Sequence, residues 1–430
     1  MSSSTALAQR AMLRRSAAVR WPGRMNPWQK LAAFALCTFI VATFTLFGPN
    51  QLRAVGLVLL LCFVPLLLGG KARLVPEGFI YVAWALWAAS GVLTAGDSGA
   101  FGELYLVVIE VSVVIFAVAG VCFFLGRLEV PMLALVAGGL ISAVFSIIRP
   151  PEPDDLEVAG DVVQRAVGAT YNPNGFAYQM LLSFMALLYL WPKADRTSKK
   201  LLVFALGGVF TFGIVTSGSR KIFLALILLV ALWALLALRR FSRTAPRYVF
   251  AVCAIGLAAY WFVGFSMRDT IIGVRFQQDF RGGVTREEVE DYDRTLLYMD
   301  AFRVFSEHPI VGVGLGNFKF RSYSGQESHS DYMEVLSCTG LIGLLIYLGI
   351  YLVLWRRLKA LPRWFPGETY NAQTLKAMLL TILFTALGMP HYLVPMTWAF
   401  LASIIGYTFR LEWSRSRVPR CATQSPVQPL

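Results

Sequence analysis

Two adjacent cations, Arg220 and Lys221, follow the small-residue turn Ser217-Gly218-Ser219 and open an apolar stretch. A helix dipole disfavours a cation at that end and favours an anion. The pair therefore reads either as a boundary anchor whose stems lie along apolar surface, or as a phosphate-binding pair. His329 stands just ahead of another apolar stretch. A neutral imidazole takes up a proton near neutral pH, and Asp331 or Glu334 could orient it. Those two acids also read as an N-cap and its N3 partner, which makes His329 a plain boundary residue. Arg294 and Arg165 complete the candidates. Each has acids nearby in sequence (Glu290, Asp291 and Asp293 for one, Asp161 for the other), so ion pairing is the plain alternative. The only histidines are His308, His329 and His391, and neither HExxH nor a paired CxxC occurs. No metal and no other cofactor is expected, and cations must supply whatever charge stabilisation the chemistry needs.

The elements that position these residues are apolar helices. The chain of 430 residues is 57% hydrophobic and 15% charged, against about 25% charged in ordinary soluble domains. Apolar runs long enough to cross a bilayer as helices fall at 30–47, 54–70, 77–95, 104–125, 131–148, 174–192, 200–217, 220–238, 246–266, 332–355, 373–390 and 393–409. About two thirds of the 39 lysines and arginines lie beside alternate ends of these spans, which places both termini in the cytoplasm. The net charge of +14 is then a topology signal rather than a nucleic-acid-binding one. Residues 1–29 form a cytoplasmic tail, 30–266 hold spans one to nine, 267–331 form one large external loop, 332–409 hold the last three spans, and 410–430 form a second cytoplasmic tail. Arg165, Arg220, Lys221, Arg294 and His329 all fall on the external side. None of the six cysteines lies in an external loop, so no disulfide is expected.

Within the large loop, 292–306 reads as an amphipathic helix, with Leu296, Leu297, Met299, Phe302, Val304 and Phe305 on a broad apolar face. The segment Gly312-Val313-Gly314-Leu315-Gly316 follows. Such glycines allow sharp turns or close backbone approach, and the likeness to a nucleotide-binding GxGxxG is superficial.

Four pieces resemble the O-antigen ligase/polymerase superfamily of bacterial envelope glycosyltransferases. They are Gly168 to Asn174 (GATYNPN), Ser217 to Arg220 (SGSR), Arg294 to Gly316, and His329 onward (HSDYMEVL) into Gly340-Leu-Ile-Gly343. The resemblance implies an all-α integral membrane protein of about 12 transmembrane helices, GT-C-like, whose large periplasmic loop carries amphipathic helices between spans nine and ten. It implies an O-antigen ligase in the bacterial inner membrane. Polysaccharide would pass from undecaprenyl diphosphate to a sugar hydroxyl of lipid A–core, without metal and with inversion. His329 would be the general base, Arg220, Arg294 and Lys221 would hold the donor diphosphate, and Arg165 is the weaker match. The partners are the lipid-linked donor, the lipid A–core acceptor and membrane lipids, with no nucleic acid. An O-antigen polymerase or a protein O-oligosaccharyltransferase shares the donor chemistry. Twelve spans with both ends inside suit many transporters as well, but no paired repeat of interrupted helices is seen and Glu110 is the only ionisable residue deep in a span. Two lipid substrates also call for a cavity open to the bilayer, which the apolar face of the loop helix could border.

Overall fold

The first described helix begins on a reciprocal cap. Asn26 accepts a hydrogen bond from the Gln29 amide at 2.8 Å, and the Gln29 side chain accepts one from the Asn26 amide at 3.1 Å. Pro27 occupies the first helical position, where its missing N–H costs nothing. The computed structural model describes residues 25–45, 49–149, 152–158, 161–170, 172–238 and 286–417. In chain order the helices are α1 (Pro27–Ala42), α2 (Pro49–Leu68), α3 (Pro76–Ala89), α4 (Ser98–Leu125), α5 (Glu129–Ile148), α6 (Pro173–Leu190), α7 (Thr197–Thr216) and α8 (Arg220–Trp233), followed by α9 (Arg286–Glu307), the single turn α10 (Phe318–Arg321), α11 (Asp331–Trp364), α12 (Thr369–Thr385) and α13 (Pro395–Ser416). Among the described residues six helices, at 50–68, 98–125, 129–148, 173–193, 197–216 and 331–364, are long and apolar enough to cross a membrane. The expected spans at 30–47, 77–95, 220–238, 373–390 and 393–409 also fall on helices, but these are shorter or less apolar. The expected span 246–266 lies outside the described residues.

Helix α4 packs along α13, α3 along α11, and α5 against α6, which in turn packs on α7. On the side read as cytoplasmic, the buried Arg357 of α11 pairs with buried Glu77 of α3 and reaches Glu412 of α13 at 2.8 Å. A buried charge needs such partners. The clasp ties three helices together at the end opposite the candidate site.

The loops depart from the sequence reading in informative ways. Between the fifth and sixth spans, β1 (Glu152–Val158) and β2 (Asp161–Arg165) pair antiparallel in an otherwise helical structure. Helix α9 starts earlier than expected, at Arg286. Its protein-facing stripe is narrower than the apolar face read from sequence: Leu297, Ala301 and Val304 are buried, while Leu296, Met299 and Phe302 are 42%, 64% and 60% exposed. Buried Asp300 accepts from Arg303 at 2.6 Å and from the Tyr323 amide at 2.6 Å, and Arg303 donates to the Arg321 carbonyl at 2.7 Å. These polar residues of α9 strap down the chain that leads to His329.

Helix α11 is broken at Gly340, whose φ of 68° and ψ of −176° are non-helical. The loop after α9 makes up the backbone bonds around the break. Val313 and Gly314 donate to the carbonyls of Ser337 and Cys338, both at 3.0 Å, and Leu341 donates to the Pro309 carbonyl at 2.9 Å. The backbones approach too closely for side chains. A Cβ on Gly340 would stand 2.0 Å from the Ile310 carbonyl oxygen, and one on Gly314 would stand 2.7 Å from that of Gly91. The glycine-rich segment is thus a backbone-to-backbone dock. Gly340→Ala must strain a left-handed backbone and also displace the Pro309–Gly314 strand of chain. It should destabilise the protein by at least about 2 kcal/mol, read as a lowered melting temperature of the purified protein in detergent. An unchanged melting temperature would contradict the dock.

Candidate active site

Three of the four sequence pieces lead into a helix start, at α6, α8 and α11, and the fourth, Arg294 to Gly316, covers the later part of α9 and the glycine loop after it. Asn172 caps α6, accepting from the amides of Asn174 at 2.9 Å and Gly175 at 3.1 Å, with Pro173 next in line. Asn174 in turn accepts from the Ser219 hydroxyl at 2.7 Å. The Asn-Pro-Asn piece is thereby fastened to the Ser217–Ser219 turn that opens α8. Ser219 gives its hydroxyl to Asn174, and its side chain makes no cap bond to the start of α8. The end of β2 docks on the same turn: Ala166 donates to the Thr216 carbonyl at 3.2 Å, and Arg165 Nε donates to the Ser217 carbonyl at 2.8 Å. The structure therefore brings Arg165 to the turn that carries Arg220 and Lys221.

Lys221 Nζ donates to the carbonyl of Gly388, in the bend between α12 and α13. That bend is the hub of the site. Tyr298 of α9 donates to its Leu387 carbonyl at 2.7 Å. Tyr332 of α11 donates to the Leu383 carbonyl at 2.7 Å, and the Asp331 amide donates to the Ala386 carbonyl at 2.9 Å. The buried Asp331 carboxylate accepts from the backbone amides of His391 at 2.6 Å and Tyr392 at 2.8 Å, and from the Tyr347 hydroxyl at 2.6 Å. So α8, α9 and α11 all attach to residues 383–392. Arg294 lies one helical turn before Tyr298 on α9. Its side chain lies outside the described set.

His329 is exposed, between buried Ser328 and Ser330. It is the only described non-glycine residue at positive φ, 53°. That backbone is costly for a side chain and is kept only where the surroundings fix it. The fixing is visible: the Ser328 amide and hydroxyl bond Glu334 at 3.0 and 2.7 Å, and the Ser328 hydroxyl also reaches the Ser330 carbonyl at 3.1 Å. The cap of α11 differs from the sequence reading. Ser330, not Asp331, is the N-cap and accepts from the Met333 amide. Asp331 serves the bend, and Glu334 fixes the backbone on which His329 sits. Both acids hold the imidazole's platform.

Sequence reasoning passed over His391. Its signal was slight: one of three histidines, set between Gly388 and Pro395 in the break separating two apolar runs. The ring is fully buried, shares a hydrogen bond with the Thr385 hydroxyl at 2.9 Å and stacks on Tyr178 at 4.8 Å. Burial, helped by the nearby positive charge of Lys221, pushes it down from 6.5 to about 3. It stays neutral and acts as a packed polar strut. Among the described residues no group of histidines, cysteines and acids could hold a metal. Asp291 and Asp293 do stand at Asp-x-Asp spacing beside Arg294, and their side chains also lie outside the described set.

A family model described as O-antigen ligase matches residues 201–348. The match takes in α7, α8, α9, the glycine dock, His329 and the first half of α11, and leaves Arg165 outside. No curated protein matches the chain.

The neutral His391 has a consequence for stability. An unfolded histidine takes up its proton near 6.5, whereas the folded ring does so only near 3. The unfolded state therefore binds more protons as pH falls, and stability is lost from about pH 6.5 downward, by up to about 1.4 kcal/mol per pH unit. Above that range the term is flat. The melting temperature should drop more between about pH 7.5 and 5 in the unaltered protein than in His391→Asn. Equal drops would contradict the assignment.

Proposed function

From the match of residues 201–348 to a family model described as O-antigen ligase, we propose that this protein transfers polysaccharide from undecaprenyl diphosphate to a sugar hydroxyl of lipid A–core. It does so as a multi-pass protein of the bacterial inner membrane, with the site facing the periplasm and both termini in the cytoplasm. The observation that carries the reading is the gathering of cations around an uncapped helix start: Arg220 opens α8, Arg165 is bonded to the turn before it, and Lys221 follows. The dipole of α8 favours an anion at the same point.

The hard step in such a transfer is departure of the lipid diphosphate. Breaking the bond between the anomeric carbon and the diphosphate oxygen leaves the electron pair, and negative charge, on that oxygen. Arg220, with Arg165 and Arg294, offsets the charge through paired N–H donors. The acceptor hydroxyl oxygen attacks the anomeric carbon from the opposite face, which inverts its configuration, and its proton passes to His329. An exposed imidazole on a rigidly held backbone is suited to meet an acceptor arriving from the periplasm. Asp331 and Glu334 position rather than react, since they bond the bend, Tyr347 and Ser328.

His329→Ala should lower turnover by about 100-fold or more, and Arg220→Ala by about 100-fold, with melting temperatures near that of the unaltered protein. The assay is joining of undecaprenyl-linked glycan to lipid A–core by purified protein. Unaltered rates in either variant would overturn the role of that residue. Absence of lipid A–core product from the unaltered protein, with longer undecaprenyl-linked glycan formed instead, would make it a polymerase.

A further inference from the structure

At the end of the molecule opposite the candidate site, acids are few and each is already committed. On that side the chain carries Glu77, Glu129, Asp195, Glu368 and Glu412. Glu77 and Glu412 meet Arg357, Glu129 meets Lys193, and Asp195 meets Lys199. Glu368 accepts from Asn371 at 2.7 Å and from the Tyr407 hydroxyl at 3.0 Å. Residues 1–24, 239–245 and 418–430, read as lying on the same side, contain no Asp or Glu. Two lysines on packed helices are left without a carboxylate. Lys376 of α12 is buried. Of its three ammonium donors, one goes to the Gln373 side chain at 3.3 Å, and the group lies 5.7 Å from the centre of the Trp355 ring of α11. The charge that acts on it is a second cation, Lys359 of α11. Lys359 is five residues from the end of α11 and Lys376 seven from the start of α12, so both stand roughly 8 to 10 Å from the connecting turn. Among the described residues no carboxylate pairs with either.

Two like charges drawn together, one of them buried, call for an anion between them, and the chain has none to give. We propose that the phosphate of an anionic phospholipid in the cytoplasmic leaflet bridges Lys359 and Lys376. The choice of leaflet rests on the orientation assigned above. What lies beside the pair favours a lipid over free phosphate. Leu345 and Leu352 are exposed on α11 and, at seven-residue steps, fall almost in line with Lys359. An acyl chain hanging from the phosphate lies along that stripe, toward the middle of the membrane. A headgroup of net negative charge suits the two lysines, whereas the ammonium of a zwitterionic headgroup brings a third positive charge to them. The bound lipid joins α11 to α12 at the ends remote from Asp331 and the bend.

Purified full-length protein, stripped of lipid in detergent, is titrated with dioleoyl phosphatidylglycerol and with dioleoyl phosphatidylcholine. Bound lipid is counted by native mass spectrometry, and melting temperature is followed alongside. Phosphatidylglycerol should bind about tenfold more tightly than phosphatidylcholine and raise the melting temperature. Lys359→Gln and Lys376→Gln should each reduce that preference about fivefold. Arg196→Gln removes an exposed cation from the same side without touching the pair, and should keep the preference. Lys359 is exposed, so Lys359→Gln carries the test if Lys376→Gln folds poorly. Equal binding of the two lipids, an unchanged preference in Lys359→Gln, or an equal loss in Arg196→Gln would overturn the proposal. So would the same rise in melting temperature with inorganic phosphate alone, which would mark a site for a free anion. No glycan transfer is read, so failure here leaves the activity proposed above untouched, and failure of that activity leaves this site standing.

Discussion

The candidate site depends on one buried carboxylate. Asp331 holds two successive backbone amides of the bend between α12 and α13, and its other oxygen holds Tyr347. A carboxylate removed from water must be met by donors, or the burial costs several kcal/mol. The bend must therefore fold up against the start of α11. Once it does, it presents the carbonyls of Leu387 and Gly388 to Tyr298 and Lys221, while that of Leu383, in the last turn of α12, receives Tyr332. Three helices that are distant in sequence thereby acquire a common reference point. His329 is two residues from Asp331, Arg220 is next to Lys221, and Arg294 is one turn from Tyr298. Each reactive candidate is thus held by a neighbour that has a structural task.

This division of labour explains what the sequence disclosed and what it concealed. Helices were legible because a span needs an unbroken apolar run and its loops carry basic residues on one side. The turn at Ser217–Ser219 was legible because glycine and serine interrupt two such runs. Arg220, Lys221 and His329 stood out as polar residues at boundaries where burial alone gives no reason for them. The cap reading of Asp331 and Glu334 failed because their partners, His391, Tyr392, Tyr347 and Ser328, are chosen by tertiary packing. Spacing within one helix suggested a cap, and the structure gave that task to Ser330. The narrow buried stripe of α9 was concealed for a similar reason. Periodicity marks every apolar position, and only packing decides whether Leu297 or Met299 faces the protein.

The glycine dock shows the same limit from the other side. The glycines of 312–316 were read as permitting close approach, which they do, but their partner was invisible. It is a break in α11 at Gly340, a residue that sits in an otherwise ordinary apolar run. Freed carbonyls at the break are met by the loop, so a kink that would be costly inside a membrane helix costs little here. The dock and the Asp331 anchor lie on the two sides of the first turns of α11, and together they fix the short chain that bears His329.

The most direct measurement is hydrogen–deuterium exchange of purified Asp331→Ala against the unaltered protein, followed across the bend and the helices tied to it. If Asp331 is the anchor, exchange should rise at residues 385–392 and also in the first turns of α8 and in the middle of α9, whose contacts run through that bend. Faster exchange confined to the first turn of α11, with the bend, α8 and α9 as before, would contradict the account.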